Sequence, residues 1–218
     1  QFVTLNHLMW QMTPDLSFFT RLNYALTYNY SLSATGGNEA KLLEFSTGLA
    51  FRPVKYDWAQ ILLKYTLRKE LRPIGLMEGK RAENSTTGVF SLVSIFELPF
   101  RLQVTEQFAF KYREEEVDGL QPASSITLLW INRLSYHLFK KKVDLSAEYR
   151  FMWLWMGSAG DALALATIEH GLLFEISYNI KRYIRVGAGY NFTSFTDNLF
   201  ADSKRNYNGF FFRVVGTY

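Results

Sequence analysis

Residues 16–30 read LSFFTRLNYALTYNY, and their side chains separate into two faces at the two-residue period of a β-strand. Leucine, phenylalanine and tyrosine fill the even positions except at Thr20, whereas the odd positions are polar or small except at Phe19. The stretch is longer than a usual soluble strand and suits a tilted strand that crosses a bilayer, which needs about 9 to 11 residues. It predicts a membrane-spanning strand with one apolar face.

The same alternation recurs along the whole chain and predicts eleven strands. Short connections near residues 13, 55, 99, 139 and 181 alternate with long polar ones near residues 36, 77, 117, 159 and 200. Residues 70–85 and 113–121 are predicted loops, and the hairpin around residue 55 is predicted to place Phe51 opposite Ala59. The expected fold is all-β: a transmembrane, antiparallel up-and-down β-barrel of about twelve strands, with at least one further strand before Gln1.

Composition narrows the class of protein. With 48% hydrophobic and 20% charged residues, the chain is not disordered, and 17% aromatic residues is a high share. No window approaches 18 consecutive apolar residues, which excludes a transmembrane helix, and the absence of cysteine excludes disulfides and thiolate sites. The net charge of +4 is spread over the strands, so no nucleic-acid partner is expected. We expect one domain over residues 1–218 and, without a signal peptide at Gln1, an earlier natural start.

The C-terminal run GFFFRVVGTY, residues 209–218, alternates hydrophobic residues and finishes in an aromatic one. With the strand pattern, it resembles bacterial outer-membrane β-barrel proteins, whose barrel assembly machinery recognises such a terminal signal. Residues 189–199 also resemble the closing segment of barrel domains that anchor large surface proteins. The resemblance implies an outer-membrane location among lipid and lipopolysaccharide, with a periplasmic C-terminus and extracellular long loops. The implied signal residues are Phe210, Phe212, Val214, Gly216 and Tyr218, where Tyr218 replaces the commoner phenylalanine.

A closed barrel in lipid must turn its apolar faces outward, so the polar faces line the interior. Two interpretations stay open: a water-filled lumen that prefers anions, because bases outnumber acids, or a wall of arginine–carboxylate pairs that fills and rigidifies the barrel. The candidate lumen-lining residues are Arg21, Glu44, Arg52, Lys64, Arg68, Lys111, Arg133, Glu148, Arg150, Glu175, Arg185 and Arg213.

Glu106 interrupts an apolar face, where a carboxylate costs free energy in hydrocarbon. The neighbouring strand, residues 86–98, is apolar on both faces, and the predicted register sets Ser91 beside Glu106. We hypothesise a protein contact at Ser91 and Glu106, with a local register slip or bulge as the alternative.

Candidate catalytic and metal sites are few. His137 is predicted in a turn, His170 on a lipid-facing position and His7 on an ambiguous strand, and none is predicted to share a face with a serine and a carboxylate. The acidic residues 114–118 lack the spacing and turn glycine of a calcium loop. Gly187 and Gly189 lie within a strand, so they do not form a phosphate-binding loop. We expect no catalytic residues, no cofactor and no metal.

The sequence therefore favours a non-enzymatic outer-membrane barrel that acts as a passive or translocation pore, or as the membrane anchor of a larger surface assembly. One alternative is an outer-membrane barrel enzyme of the lipase or protease type. The other is a soluble β-barrel binding protein with its apolar faces packed inside.

Overall fold

The computed structural model describes residues 2–29, 38–55, 58–74, 81–117, 121–139, 142–158, 165–181, 184–192 and 208–216. These residues form one antiparallel sheet whose eleven strands pair in chain order, which confirms the up-and-down arrangement. No helix in these ranges is long and apolar enough to cross a bilayer. The strands are β1 (Phe2–Gln11), β2 (Leu16–Asn29), β3 (Asn38–Phe51), β4 (Ala59–Ile74), β5 (Arg81–Leu98), β6 (Leu102–Val117), β7 (Ala123–Leu138), β8 (Val143–Ser158), β9 (Leu165–Lys181), β10 (Ile184–Asn191) and β11 (Gly209–Gly216).

The sheet has two ends and two edges. Residues 12–15, 52–58, 99–101, 139–142 and 182–183 connect strands at one end, called here the turn end, and the opposite end is the loop end. β1 and β11 are the edge strands, and no ladder joins them within the described ranges. A twelfth strand that would help to close the barrel therefore stays a prediction.

Cross-strand pairing keeps the alternating residues in register, so the sheet has an apolar face and a polar face. On the polar face, Arg133 pairs with Glu148, and Lys64 pairs with Ser91. One row of the apolar face runs across seven strands through Phe18, Leu49, Leu63, Leu92, Phe108, Trp130 and Phe151.

The apolar face has no layer packed against it among the described residues. Ala59 is the only buried hydrophobic residue there, whereas Phe174 and Ile176 are 45% and 52% exposed. The buried side chains are instead polar ones, such as Ser46, Asp144 and Glu175. A soluble β-barrel buries its apolar side chains, so that alternative is wrong.

Several strands continue further than predicted. β4 runs to Ile74, β5 starts at Arg81 and β6 reaches Val117, so most of the predicted loops 70–85 and 113–121 is strand. Beyond the hydrocarbon neither face has to be apolar, and the alternation fades while the backbone hydrogen bonds continue. Phe51 pairs with Ile61 rather than with Ala59, a two-residue shift that leaves every side chain on its predicted face.

Two phenylalanines on the polar face cover glycines of the next strand. Phe19 pairs with Gly48, and Phe211 pairs with Gly189. A Cβ added to either glycine would collide with the phenylalanine ring and with a backbone carbonyl of a neighbouring strand. Phe19, the exception in the stretch that predicts the fold, is therefore explained by its contact with Gly48.

Candidate functional site

The polar face brings together the residues that the sequence selects as lumen-lining. Eleven of them lie on this face within strands, and Arg52 follows directly after β3.

Arg133 is the centre of a group of ion pairs near the turn end. Its Nη2 donates to Ser146 Oγ at 3.0 Å and to Glu175 Oε2 at 3.3 Å, and its Nη1 lies 3.7 Å from Glu148 Oε2. Glu175 also accepts from Arg213 Nη2 at 2.5 Å. The side chain of Glu175 is only 3% exposed, so its charge depends on these two guanidinium groups.

A second group of charges adjoins the first. His137 Nδ1 lies 2.6 Å from Asp144 Oδ1, Arg185 pairs with the other oxygen of Asp144, and Arg185 Nε donates to Asn179 Oδ1 at 3.1 Å. The two groups border a polar cavity of about 430 Å³. Arg150 Nε donates to Glu148 Oε1 at 2.5 Å and belongs to the first group. We call the two groups together the arginine–carboxylate network: Arg133, His137, Asp144, Glu148, Arg150, Glu175, Arg185 and Arg213.

The sequence-based placement of His137 is wrong. His137 lies in β7 rather than in a turn, and it shares the polar face with Asp144 and Ser135. The alternation in fact continues to the end of β7, since His137 takes a polar position between Tyr136 and Leu138. The His137–Asp144 pair belongs to the network, since Arg185 also pairs with Asp144.

A different set of ion pairs lies at the loop end. Glu70 accepts from Arg68 Nη2 at 2.9 Å and from Arg72 Nε at 2.6 Å, and Arg113 pairs with Glu83 and Glu115. The hydrogen bond from Arg72 has the largest effect and lowers the pKa of Glu70. Burial raises this pKa by less than that bond lowers it, and the charges of Arg68 and Arg72 lower it further. We call these six residues the loop-end ion pairs: Arg68, Glu70, Arg72, Glu83, Arg113 and Glu115.

The loop-end ion pairs lie beyond the apolar band. At the same level the apolar face carries two charged residues, Lys69 and Glu114, which lie on either side of Thr86 in the strand register. Sequence reasoning missed this site because Glu70, Glu83 and Glu115 fell within the predicted loops. Among the side chains that the structure describes, Arg72 and Arg113 are further bases of the polar face, and acids and bases there are close in number once its other acids are included: Glu70, Glu83, Glu97, Glu115, Asp144 and Glu169.

The turn end of β1–β5 has a different surface on the polar face. A half-open cavity of about 670 Å³ lies there, and apolar side chains contribute much of its lining. We call this the apolar depression, formed by Met9, Ala50, Leu62, Val93 and Ile95.

Glu106 lies on the apolar face, but its predicted neighbour is wrong. It pairs with Ser94 on β5 and with Asn132 on β7, whereas Ser91 lies on the polar face opposite Ala109. The error arose because β5 is apolar on both faces and gives no periodic signal for its register. Within the described ranges, no group of three or more histidine or acidic residues is arranged to hold a metal ion.

The terminal signal is described in part. Phe210, Phe212 and Val214 lie on the apolar face of β11 and are 74–85% exposed, and Gly216 ends that strand. Tyr218 lies outside the described residues.

No protein-family model matches the sequence, and no curated protein matches it. Two solved structures share its fold. The FrpB iron transporter from Neisseria meningitidis matches with a TM-score of 0.63 and 8% identity, over 87% of this chain and 36% of that one. This chain has the fold of a bacterial outer-membrane β-barrel.

The second structure is the alcaligin outer-membrane receptor FauA from Bordetella pertussis. It matches this barrel fold with a TM-score of 0.53 and 14% identity, over 87% of this chain and 34% of the receptor. The chain thus spans about a third of each structure that it matches. Neither neighbour is named as an enzyme, and identities this low relate the chains by fold alone.

Proposed function

We propose that this chain forms part of the wall of a larger outer-membrane barrel that transports a solute. The observation that carries the proposal is the inverted burial: large apolar side chains are exposed on one face, while Glu175, Asp144 and Ser177 are buried on the other. Exposed apolar area of this extent is unfavourable in water at about 25 cal/mol per Å² and is neutral against acyl chains.

Within the part of the chain that the structure describes, β1 and β11 have unpaired outer edges, which favours a barrel larger than eleven strands. β1 and β11 each present backbone N–H and C=O groups that need partners inside a bilayer. Additional strands of the same protein would supply them, in keeping with the larger size of both neighbours. In this proposal residues 1–218 are one barrel segment whose preceding strands lie upstream.

The orientation follows from the asymmetry of the connections. The turn end would face the periplasm and the loop end the exterior, as in barrels with short periplasmic turns. The C-terminal segment, residues 209–218, would be recognised by the barrel assembly machinery, and lipid with lipopolysaccharide would cover the apolar face. This arrangement would place the arginine–carboxylate network at the periplasmic end of the interior.

Transport is favoured over catalysis because the two neighbours are named as an iron transporter and an alcaligin receptor. In planar bilayers the full-length protein should conduct ions with weak selectivity, because the charges of the polar face are near balance. A strong anion preference would contradict that balance. A protein that inserts but passes no ion or solute would support the membrane-anchor function instead.

Leu62 and Leu63 test the assignment of the faces, because they are adjacent in β4 and lie on opposite faces. Leu63→Arg should lower the free energy of unfolding in lipid vesicles by about 2–4 kcal/mol, since it sets a cation among acyl chains. Leu62→Arg should lower it by about 1 kcal/mol or less, since it disturbs only the border of the apolar depression. Urea titration followed by tryptophan fluorescence measures both. A larger loss for Leu62→Arg would reverse the faces and overturn the proposal.

A further inference from the structure

A row of polar side chains crosses the apolar face from β5 to β8. In the strand register Ser94 lies opposite Glu106, Glu106 opposite Asn132, and Asn132 opposite Tyr149. Tyr149 Oη lies 2.7 Å from His170 Nδ1 on β9, which extends the row by one strand. We call Glu106, Asn132 and Tyr149 the polar row, since Ser94 at its β5 end is buried.

The polar row lies inside the apolar band rather than at its border. Leu102 and Tyr112 bound the apolar residues of β6, and Glu106 lies between Val104 and Phe108. On β7, Asn132 likewise lies between Leu134 and Trp130. Polar groups at this depth cost free energy against acyl chains unless they are hydrogen-bonded.

The row contains both an acceptor and donors. In the amide orientation that satisfies both neighbours, Asn132 Nδ2 donates to Glu106 Oε1 at 3.3 Å, and Asn132 Oδ1 accepts from Trp130 Nε1 at 3.2 Å. A carboxylate offers about four acceptor positions, so this single bond leaves Glu106 capacity for further donors. Acyl chains carry no donor.

A shallow depression of about 220 Å³ lies beside the row on the same face. Ala147, a small residue among larger ones, contributes to it, with Val104, Leu134 and Leu172 around it. A side chain from outside could enter this space next to Asn132 and Tyr149. The surface therefore offers apolar contact together with hydrogen-bonding groups.

We propose that the polar row is the contact surface for a second copy of this chain in the membrane. A two-fold contact requires each surface to carry both the acceptor and its complementary donor, and the row carries the acceptor Glu106 together with Asn132, whose Nδ2 has a second N–H besides the one that it gives to Glu106. A basic partner of another kind would require only the carboxylate. The inference rests on the proposed insertion in the outer membrane.

Cross-linking of the full-length protein in outer membranes tests the contact. Cysteine replaces Val104, beside the row, or in a matched control Ile176, on the same face of β9 away from it. A short bismaleimide should give a covalent dimer of twice the protomer mass with Val104→Cys and none with Ile176→Cys. Should Val104→Cys fail to insert, Leu134→Cys on β7 takes its place.

The double substitution Glu106→Leu and Asn132→Leu should lower the dimer fraction roughly tenfold, because both symmetry-related sets of hydrogen bonds are lost. It should not lower the amount of heat-modifiable, inserted protein, since leucine suits the lipid. Inserted protein without a dimer, an adduct with the mass of another protein, or a dimer that survives the double substitution would each overturn the inference. Failure of all variants and of the unaltered protein to insert would overturn the proposed function itself, and the inference with it.

Discussion

The two halves of the sheet place their charges at opposite ends of the polar face. In β1–β6 the loop-end ion pairs lie at the loop end, and the apolar depression lies at the turn end. In β7–β11 the arginine–carboxylate network lies toward the turn end, and apolar side chains occupy the loop end of the same face: Leu129, Met152, Leu154 and Met156. Both halves obey the same alternation, so the alternation does not determine where the charges stand along a strand.

The halves also differ in how deeply the charges are buried. In the network the side chains of Glu148 and Glu175 are 9% and 3% exposed, whereas those of Glu70 and Glu83 at the loop end are 17% and 20% exposed. A buried charge depends on its partners, while an exposed one can be solvated by water instead. Removing one partner from the network is therefore expected to cost more stability than removing one from the loop-end ion pairs.

Glu175→Gln gives the largest expected effect on this comparison. The change keeps the volume but leaves Arg133 and Arg213 without their shared carboxylate. We expect the free energy of unfolding in lipid vesicles to fall by about 3 kcal/mol, at the lower end for a broken buried pair because both guanidinium groups are partly exposed.

Glu44→Gln is the matched control in the other half. Glu44 lies on the polar face of β3 and accepts from Asn23 Nδ2 at 3.2 Å. Loss of the Glu44 carboxylate should lower the free energy of unfolding by about 1 kcal/mol or less. Equal losses for the two substitutions would show that burial does not separate the halves.

The faces of the sheet could be predicted from the sequence because a two-residue period survives any even shift of register. The β3–β4 hairpin shows this, since the observed partner of Phe51 is Ile61 instead of the predicted Ala59, and Phe51 still lies on the predicted face. Register itself could not be predicted where both faces are apolar, as in β5. The prediction that Ser91 lies beside Glu106 was therefore wrong, since Ser94 occupies that position.

The site could be predicted by residue type but not by grouping. Arg133, Glu148 and Glu175 were all expected on the polar face, yet their meeting depends on the registers of β7, β8 and β9. Gly187 illustrates a further limit: a Cβ there would lie 2.8 Å from Glu175 Oε1, so the glycine leaves room for that carboxylate. Nothing in the local pattern of β10 shows which side chain fills the space.

Gly48→Ala and Gly189→Ala sharpen the comparison with a feature that both halves share. Each added methyl group would collide with a phenylalanine ring and with a backbone carbonyl. Each change should lower the free energy of unfolding by about 1–3 kcal/mol, to a similar extent in the two halves. Gly209→Ala, where a Cβ meets nothing within 4 Å, serves as the control and should change it by less than about 0.5 kcal/mol. If only one of the two substitutions lowered the free energy of unfolding, the effect of this packing would depend on how the charges are distributed in that half.

The smallest effect is expected at Glu70, through the pH dependence of stability. The bond from Arg72 lowers the pKa of Glu70 in the folded state, so the folded state binds its proton less readily than the unfolded state does. The contribution is therefore fully present above the ordinary carboxyl pKa and is lost as the pH falls through the lowered one. Because Arg72 is largely exposed, the contribution should not exceed about 1 kcal/mol.

Urea titrations of the full-length protein between pH 3 and pH 7 measure this contribution. At pH 7, Glu70→Gln should unfold slightly more readily than the unaltered protein, and the difference should shrink toward acid pH, where the unaltered Glu70 is protonated as well. High salt should reduce the difference, since exposed pairs are screened. A difference that grows on acidification, or that matches the loss from Glu175→Gln, would mean that the loop-end ion pairs resemble the buried network and would remove the contrast between the halves.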